Sequence, residues 1–270
     1  MLPTGLALRV LEAGPADGPP VLLLHGWAVT SYLWRHNILA LAEAGFRVVS
    51  ADLPGHGLSD APSASGSYTL DAFARSVFAL LDALQIPRAT IVAQSMGAKV
   101  ALQCALDAPE RVDRLVLFGP VGFGILPPWK TLSPLLPSIP GELLTYMVPR
   151  RVIAFIQHRV YGKLGWFSEA DVDQYWAPTQ FAPVVRAQLQ MLKEFDWSPW
   201  DVATLRTLQV PTLLVFGTRD RTVRPVHAER LAQELPNGRL EWIEDGGHVV
   251  MEEVPERINA MLLETLRFGR

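Results

Sequence analysis

Ser95 stands in Ala93-Gln94-Ser95-Met96-Gly97, between two stretches of opposite character. Before it runs Ala89-Thr90-Ile91-Val92-Ala93, short, apolar and partly β-branched. After it runs Ala98 to Leu106, a helical pattern that stops near Pro109. A serine on a sharp strand-to-helix turn, with very small residues two positions away on each side, is a nucleophile elbow. Larger side chains there would collide as the helix folds back beside its strand, and the turn is strained at the serine itself. The turn lifts the hydroxyl clear of the sheet and aims a helix N-terminus at any developing oxyanion. A serine hydroxyl is a weak nucleophile at neutral pH. It needs a base to take its proton, and the base needs a carboxylate to hold the right tautomer.

With this motif the chain resembles the α/β-hydrolase superfamily, and the resemblance runs nearly end to end. The usual Gly-x-Ser-x-Gly begins here with Ala93, the next smallest residue after glycine. The resemblance implies a triad in the order Ser, Asp, His. Thr218-Arg219-Asp220 follows one apolar run, and Asp245-Gly246-Gly247-His248 follows the next. Asp220 and His248 lie 28 residues apart, room for one helix and one strand. The implied catalytic set is therefore Ser95, Asp220 and His248. The implied oxyanion donors are the backbone N–H groups of Met96, next to the serine, and Trp27, in the loop after His25-Gly26. Trp27 and Met96 would also floor an apolar pocket.

Each partner has a plainer reading: Asp220 as a turn cap, His248 as a surface histidine, Trp27 and Met96 as core packing. Asp52 also ends a strand, in Asp52-Leu53-Pro54-Gly55-His56-Gly57-Leu58-Ser59. In the family that aspartate holds its loop by hydrogen bonds, and His25 and His56 are structural. The other family position for the acid, after the sixth strand, reads Gly119-Pro120 and has no carboxylate.

These residues require a frame. Val21–Leu24 is a continuous apolar run, as expected of a strand buried on both faces; Phe46–Ala51 and Ala89–Ala93 read as strands, and Leu115–Gly119 and Pro211–Gly217 as further buried strands. An earlier strand is read from the alternation of Leu6, Leu8 and Val10, and a last one from Leu240, Trp242 and Ile243. Helices are expected over Ser31–Ala44, stopped by Gly45; after Thr69, which can cap a run ending before Pro87; after Ser95; from Pro225; and from Pro255. Alternating strands and helices predict an α/β fold, a mostly parallel sheet covered on both faces, with ligands at the carboxyl ends of the strands. His25-Gly26-Trp27, Asp52 and Ser95 all fall at such ends.

The alternation breaks after Gly119. Residues 121–200 contain many prolines and five of the eight tryptophans, with helical pieces around Leu143–Val160 and Pro183–Phe195. The aromatic content argues against disorder. The stretch resembles the helical cap that family members insert after the sixth strand, giving a core of residues 1–120 and 201–270 and a cap of 121–200.

Composition narrows the rest. The chain has 270 residues, 49 % of them hydrophobic, enough for a large core. A net charge of −3 without a basic block recommends neither nucleic acid nor an acidic membrane as partner. The single cysteine, Cys104, permits no intramolecular disulfide and reads as a small buried apolar group. The N-terminus lacks the pattern of a signal peptide, and no window has the apolar length of a membrane span, so the expected compartment is the cytoplasm. No metal-ligand spacing and no phosphate loop are present, and the expected chemistry uses no cofactor.

The expected function is hydrolysis of an ester or related acyl bond of a small, largely apolar molecule, as in carboxylesterases and lactonases. The alternatives are a carbon–carbon bond hydrolase of aromatic degradation and a ligand receptor built on the same fold. Ala28-Val29-Thr30 lacks the glycine-rich loop usual in the former. Epoxide hydrolases and haloalkane dehalogenases use an aspartate at the elbow, where this chain has Ser95.

Overall fold

The computed structural model describes residues 1–2, 5–124 and 148–267. Among them seven strands form one sheet in the order β1-β3-β2-β4-β5-β6-β7. They are β1 (Val10–Ala13), β2 (Pro20–Leu24), β3 (Arg47–Ala51), β4 (Ala89–Gln94), β5 (Val112–Phe118), β6 (Thr212–Gly217) and β7 (Gly238–Ile243). All pairings are parallel except β1 with β3. From β2 the chain steps outward to β3 and then crosses to β4 on the other side. The order therefore reverses between β2 and β4, which opens a crevice at their carboxyl ends.

The five inner strands, β2 to β6, are largely buried on both faces, while the edge strands β1 and β7 are partly exposed. Leu22, Leu24, Ile91, Leu115 and Leu214 pack on one side with Phe73 and Val77 of α2 (Leu70–Ala83) and Val100 of α3 (Met96–Asp107). Val21, Leu23, Val92, Val116 and Val215 pack on the other with Leu41 of α1 (Ile38–Glu43) and Ile258 and Leu262 of the closing helix (Pro255–Arg267). Thr69 caps α2 as expected: its side chain accepts from the Ala72 amide.

Three boundaries differ from the expectation. The first strand lies later, at Val10–Ala13; the alternating residues before it bond instead to the loop after β3, through Ala7 with Asp60 and Arg9 with Ser59. The Ser31–Ala44 helix is two pieces, a 3-10 turn (Ser31–Trp34) and α1, because the Ser31 amide is tied to the Asp52 carboxylate and Thr30 caps a separate first turn. The helix expected from Pro225 begins at Ala228, after a turn closed by the Ala228 amide on Pro225 O.

Between β5 and β6 the described residues contain helices and no strand: α4 (Arg150–Val160), α5 (Glu169–Trp176), a 3-10 turn (Ala177–Gln180), α6 (Ala182–Glu194) and α7 (Val202–Thr207). The Leu143–Val160 expectation is met from Arg150 onward, and its residues 143–147 lie outside the described ones. In this chain's order the excursion leaves after the fifth strand, because one strand stands before the His25 strand β2. Ile153, Val172 and Tyr175 join one core layer, and Met191, Phe195 and Trp197 the other.

Candidate active site

Ser95 sits between β4 and α3 with φ 55° and ψ −114°. A non-glycine residue there carries strain of order 1–3 kcal/mol. Its surroundings hold it: the Ser95 amide donates to Phe118 O at 2.9 Å, and Ser95 O accepts from Lys99 N at 3.3 Å and Val121 N at 3.2 Å. The small flanking residues have separate reasons. A Cβ on Gly97 would lie 2.3 Å from His25 O. Ala93, fully buried in β4, has room for its methyl within the core, so the departure from the family motif is accommodated.

Asp220 and His248 are brought together. His248 Nδ1 lies 2.6 Å from Asp220 Oδ2, with both residues buried. The other carboxylate oxygen, Oδ1, accepts the amides of Thr222 and Val223, each at 2.8 Å. The loop's own backbone thus aims Asp220 and leaves Oδ2 for the imidazole. Since an aspartate carboxylate only accepts, the histidine gives its Nδ1–H and keeps its lone pair at Nε2.

Two observations bring this pair beside Ser95. Gln94, the residue before the serine, donates from Nε2 to His248 O at 3.3 Å. A Cβ built on Gly119 would lie 2.9 Å from His248 Nδ1 and 3.0 Å from Asp220 Oδ2. Gly119 directly follows Phe118, whose carbonyl takes the Ser95 amide. All three residues therefore cluster at the carboxyl ends of β4, β6 and β7, around the end of β5. Ser95 is 8 % exposed and His248 6 %, so the hydroxyl and the imidazole are largely shielded from bulk water.

The turn after β2 approaches the same serine. A Cβ on Gly26 would lie 3.0 Å from Ser95 Cβ and 2.3 Å from Gln94 Oε1, so this turn passes close to the serine and a side chain here would displace the Gln94 amide. Trp27 follows and is half-buried; its indole donates to Gln188 O of α6 at 3.3 Å and meets Trp197 edge-on at 6.3 Å. Met96, fully buried, opens α3, a first turn whose amides have no partner within the helix.

Asp52, His25 and His56 form a second buried polar group. Asp52 accepts the Ser31 amide at 2.8 Å and the Leu58 amide at 3.2 Å, and lies 3.5 Å from Arg9. His25 accepts the Leu53 amide at Nε2 (2.9 Å) and donates from Nδ1 to Gly26 O (2.8 Å). His56 donates from Nδ1 to Pro54 O at 3.1 Å and packs edge-on against His25. Burial pushes both imidazoles below the ordinary histidine range, His56 well below. Cys104 is buried, and burial raises its thiol. Among the described residues, no cluster of three or more His, Cys, Asp or Glu side chains is placed to hold a metal, and no helix is long and apolar enough to cross a membrane.

Sequence reasoning did not single out Gln94 or the acid pair Glu252-Glu253. Gln94 carries a visible signal, a polar residue closing an apolar strand run. Glu253 carries none, because its partners are backbone amides of Gly247 and Gly162.

Comparison with known proteins bears on the fold and the family. Residues 19–255 match the family model described as alpha/beta hydrolase fold. A haloalkane dehalogenase of Mycolicibacterium paratuberculosis is 36 % identical over 80 % of this chain and 72 % of its own. The 2-hydroxy-6-oxo-6-phenylhexa-2,4-dienoate hydrolase of Rhodococcus sp. strain RHA1 superimposes with a TM-score of 0.82 at 27 % identity, covering 97 % of this chain and 95 % of its own. A thermophilic esterase from Thermogutta terrifontis gives a TM-score of 0.76 at 26 % identity, covering 98 % and 94 %. With its motif, sheet order and near full-length matches, this chain belongs to the alpha/beta hydrolase fold family.

Proposed function

We propose that the protein is a serine hydrolase that cleaves an ester or related acyl bond of a small, largely apolar substrate. Ser95 is the nucleophile, His248 the general base and then acid, and Asp220 the residue that orients it. The observation that carries this reading is the 2.6 Å Asp220–His248 hydrogen bond beside a serine held at φ 55°. Ser95 Oγ attacks the acyl carbon as His248 Nε2 takes its proton. The imidazolium, steadied by Asp220, returns that proton to the leaving group. Water, deprotonated in turn by His248, then releases the acyl group and restores the serine. The backbone N–H groups of Trp27 and Met96 hold the oxyanion, and losing one such donor costs about 2.7–4 kcal/mol of barrier. The described helices between β5 and β6 form a cap over the site, and Trp27 and Trp197 give the substrate an apolar wall.

Serine rather than aspartate at the elbow favours acyl chemistry over the reactions named for the dehalogenase relative. A second reading is hydrolysis of a carbon–carbon bond, supported by the likeness to the Rhodococcus hydrolase. Assays with short p-nitrophenyl esters and with a meta-cleavage dienoate separate the two. Many turnovers on the esters, with slow or no cleavage of the dienoate, is the expected result. A single turnover on the esters would point to a receptor, and faster turnover of the dienoate to the second reading.

A further inference from the structure

Two adjacent acids follow His248 by four and five positions, and both are buried: Glu252 is 6 % exposed and Glu253 5 %. They do different things. Glu252 accepts the Tyr161 hydroxyl at 2.7 Å, the Tyr175 hydroxyl and the Arg35 guanidinium, tying α5 and the turn after α4 to the core. Glu253 accepts two backbone amides, Gly247 on Oε1 at 2.7 Å and Gly162 on Oε2 at 2.9 Å.

Those two amides lie on either side of a close crossing. Gly247 precedes His248, and Gly162 lies in the turn after α4. At the end of α4 Val160 O takes the His248 amide at 2.7 Å, and from the turn the Lys163 amide reaches Asp245 O at 2.9 Å. A Cβ on Gly162 would lie 2.3 Å from Asp245 O, so the two strands of chain run in direct backbone contact. The two successive peptides that lead into His248 are thus bonded, the first by Glu253 and the second by the end of α4. Bonds from an ionised carboxylate to N–H are roughly twice as strong as neutral ones. Burial raises the Glu253 carboxyl above its ordinary range and the Asp220 charge adds to this, while the Gly247, Gly162 and Leu164 amides pull it back.

We propose that Glu253 is a positioning residue for His248: its carboxylate clamps the Gly247 and Gly162 amides and so holds the base and the turn after α4 as one rigid unit. This rests on the reading of His248 as the general base. Catalysis is steep in such positions, since a misplacement of 1 Å can cost about a hundredfold. Glutamine at 253 would offer one oxygen and one NH₂ to two N–H donors, so one bond is lost and a donor faces a donor.

The test compares Glu253→Gln, Glu253→Asp and Glu252→Gln in the full chain. Three readouts are used: kcat and KM on a p-nitrophenyl ester, the far-downfield proton resonance of His248 Nδ1–H bonded to Asp220, and thermal unfolding. Glu253→Gln is expected to lower kcat by about ten- to a hundredfold at unchanged KM, and to shift or broaden the downfield resonance. Glu253→Asp, which shortens the reach by one methylene, falls between it and wild type, and it carries the test if the glutamine variant fails to fold. Glu252→Gln lowers the unfolding temperature but leaves kcat within about twofold and the resonance in place, as expected of an anchor that does not touch the His248 peptide. Wild-type kcat and an unmoved resonance in a folded Glu253 variant would overturn the proposal. The base assignment fails separately, if His248→Ala retains activity, and the resonance still reports on the clamp in that case.

Discussion

Asp52 and Asp220 occupy equivalent places. Each follows a parallel strand at its carboxyl end, is buried, and accepts two backbone amides. The allocation of those amides separates them. Asp220 takes both on Oδ1, and Oδ2 faces His248. Asp52 takes one on each oxygen and has Arg9 beside Oδ2. The nearby His25 turns its two nitrogens to Leu53 N and Gly26 O. The same residue type at the same kind of strand end is thus a loop anchor in one place and an imidazole partner in the other. Residue type and position do not decide the role; the geometry of the neighbouring amides does.

The comparison can be broken at several strengths. The largest effect belongs to the serine: Ser95→Ala should lower kcat on the order of 10⁶-fold, as in another serine hydrolase, with an unchanged unfolding transition. Near-normal ester hydrolysis by that variant would remove the chemical side of the comparison. Next come the two aspartates. Asp220→Asn should cost about 10⁴-fold in kcat by spoiling the imidazole tautomer. Asp52→Asn should leave kcat within about tenfold and instead lower stability by about 1–3 kcal/mol, the cost of under-satisfied buried partners. A folded Asp52→Asn that loses more kcat than Asp220→Asn would reverse the roles.

The smallest effect is on acid stability. Folding lowers the pKa of His25 and His56 from the ordinary value near 6.5. Above that value both are neutral in either state and their contribution is fully present. As pH falls from there toward the lowered folded values, the unfolded chain binds protons that the folded chain refuses, and stability is lost. The urea midpoint should fall as pH drops below about 6, and less steeply in His56→Gln. An equal slope in that variant would place the acid sensitivity elsewhere.

Much of the fold, and the residues that meet at the candidate site, were legible in the sequence. The elbow could be read because its strain demands small neighbours, and Asp220 because it follows one buried strand and His248 the next. The loop role of Asp52 followed from the family resemblance. What escaped detection depended on partners rather than on pattern. Alternation at Leu6, Leu8 and Val10 marks a half-buried extended chain, but it does not say that this chain meets Ser59 and Asp60 rather than a strand. Helical spacing across Ser31–Ala44 hides the break, because the break comes from Asp52, which ties the Ser31 amide across the fold. The acid pair after His248 looks like an ordinary charged turn, since Glu253 is satisfied by amides that any residue could supply.

The most direct test of the central claim is covalent. The native protein is incubated with a fluorophosphonate probe and the labelled peptide is mapped by mass spectrometry, alongside the His248→Ala, Asp220→Asn and Asp52→Asn variants. Stoichiometric label on Ser95, formed rapidly in the native protein and in Asp52→Asn and slowed by orders of magnitude in the other two, is the predicted result. Label on another residue, or Ser95 reacting at the native rate without the imidazole of residue 248, would contradict it.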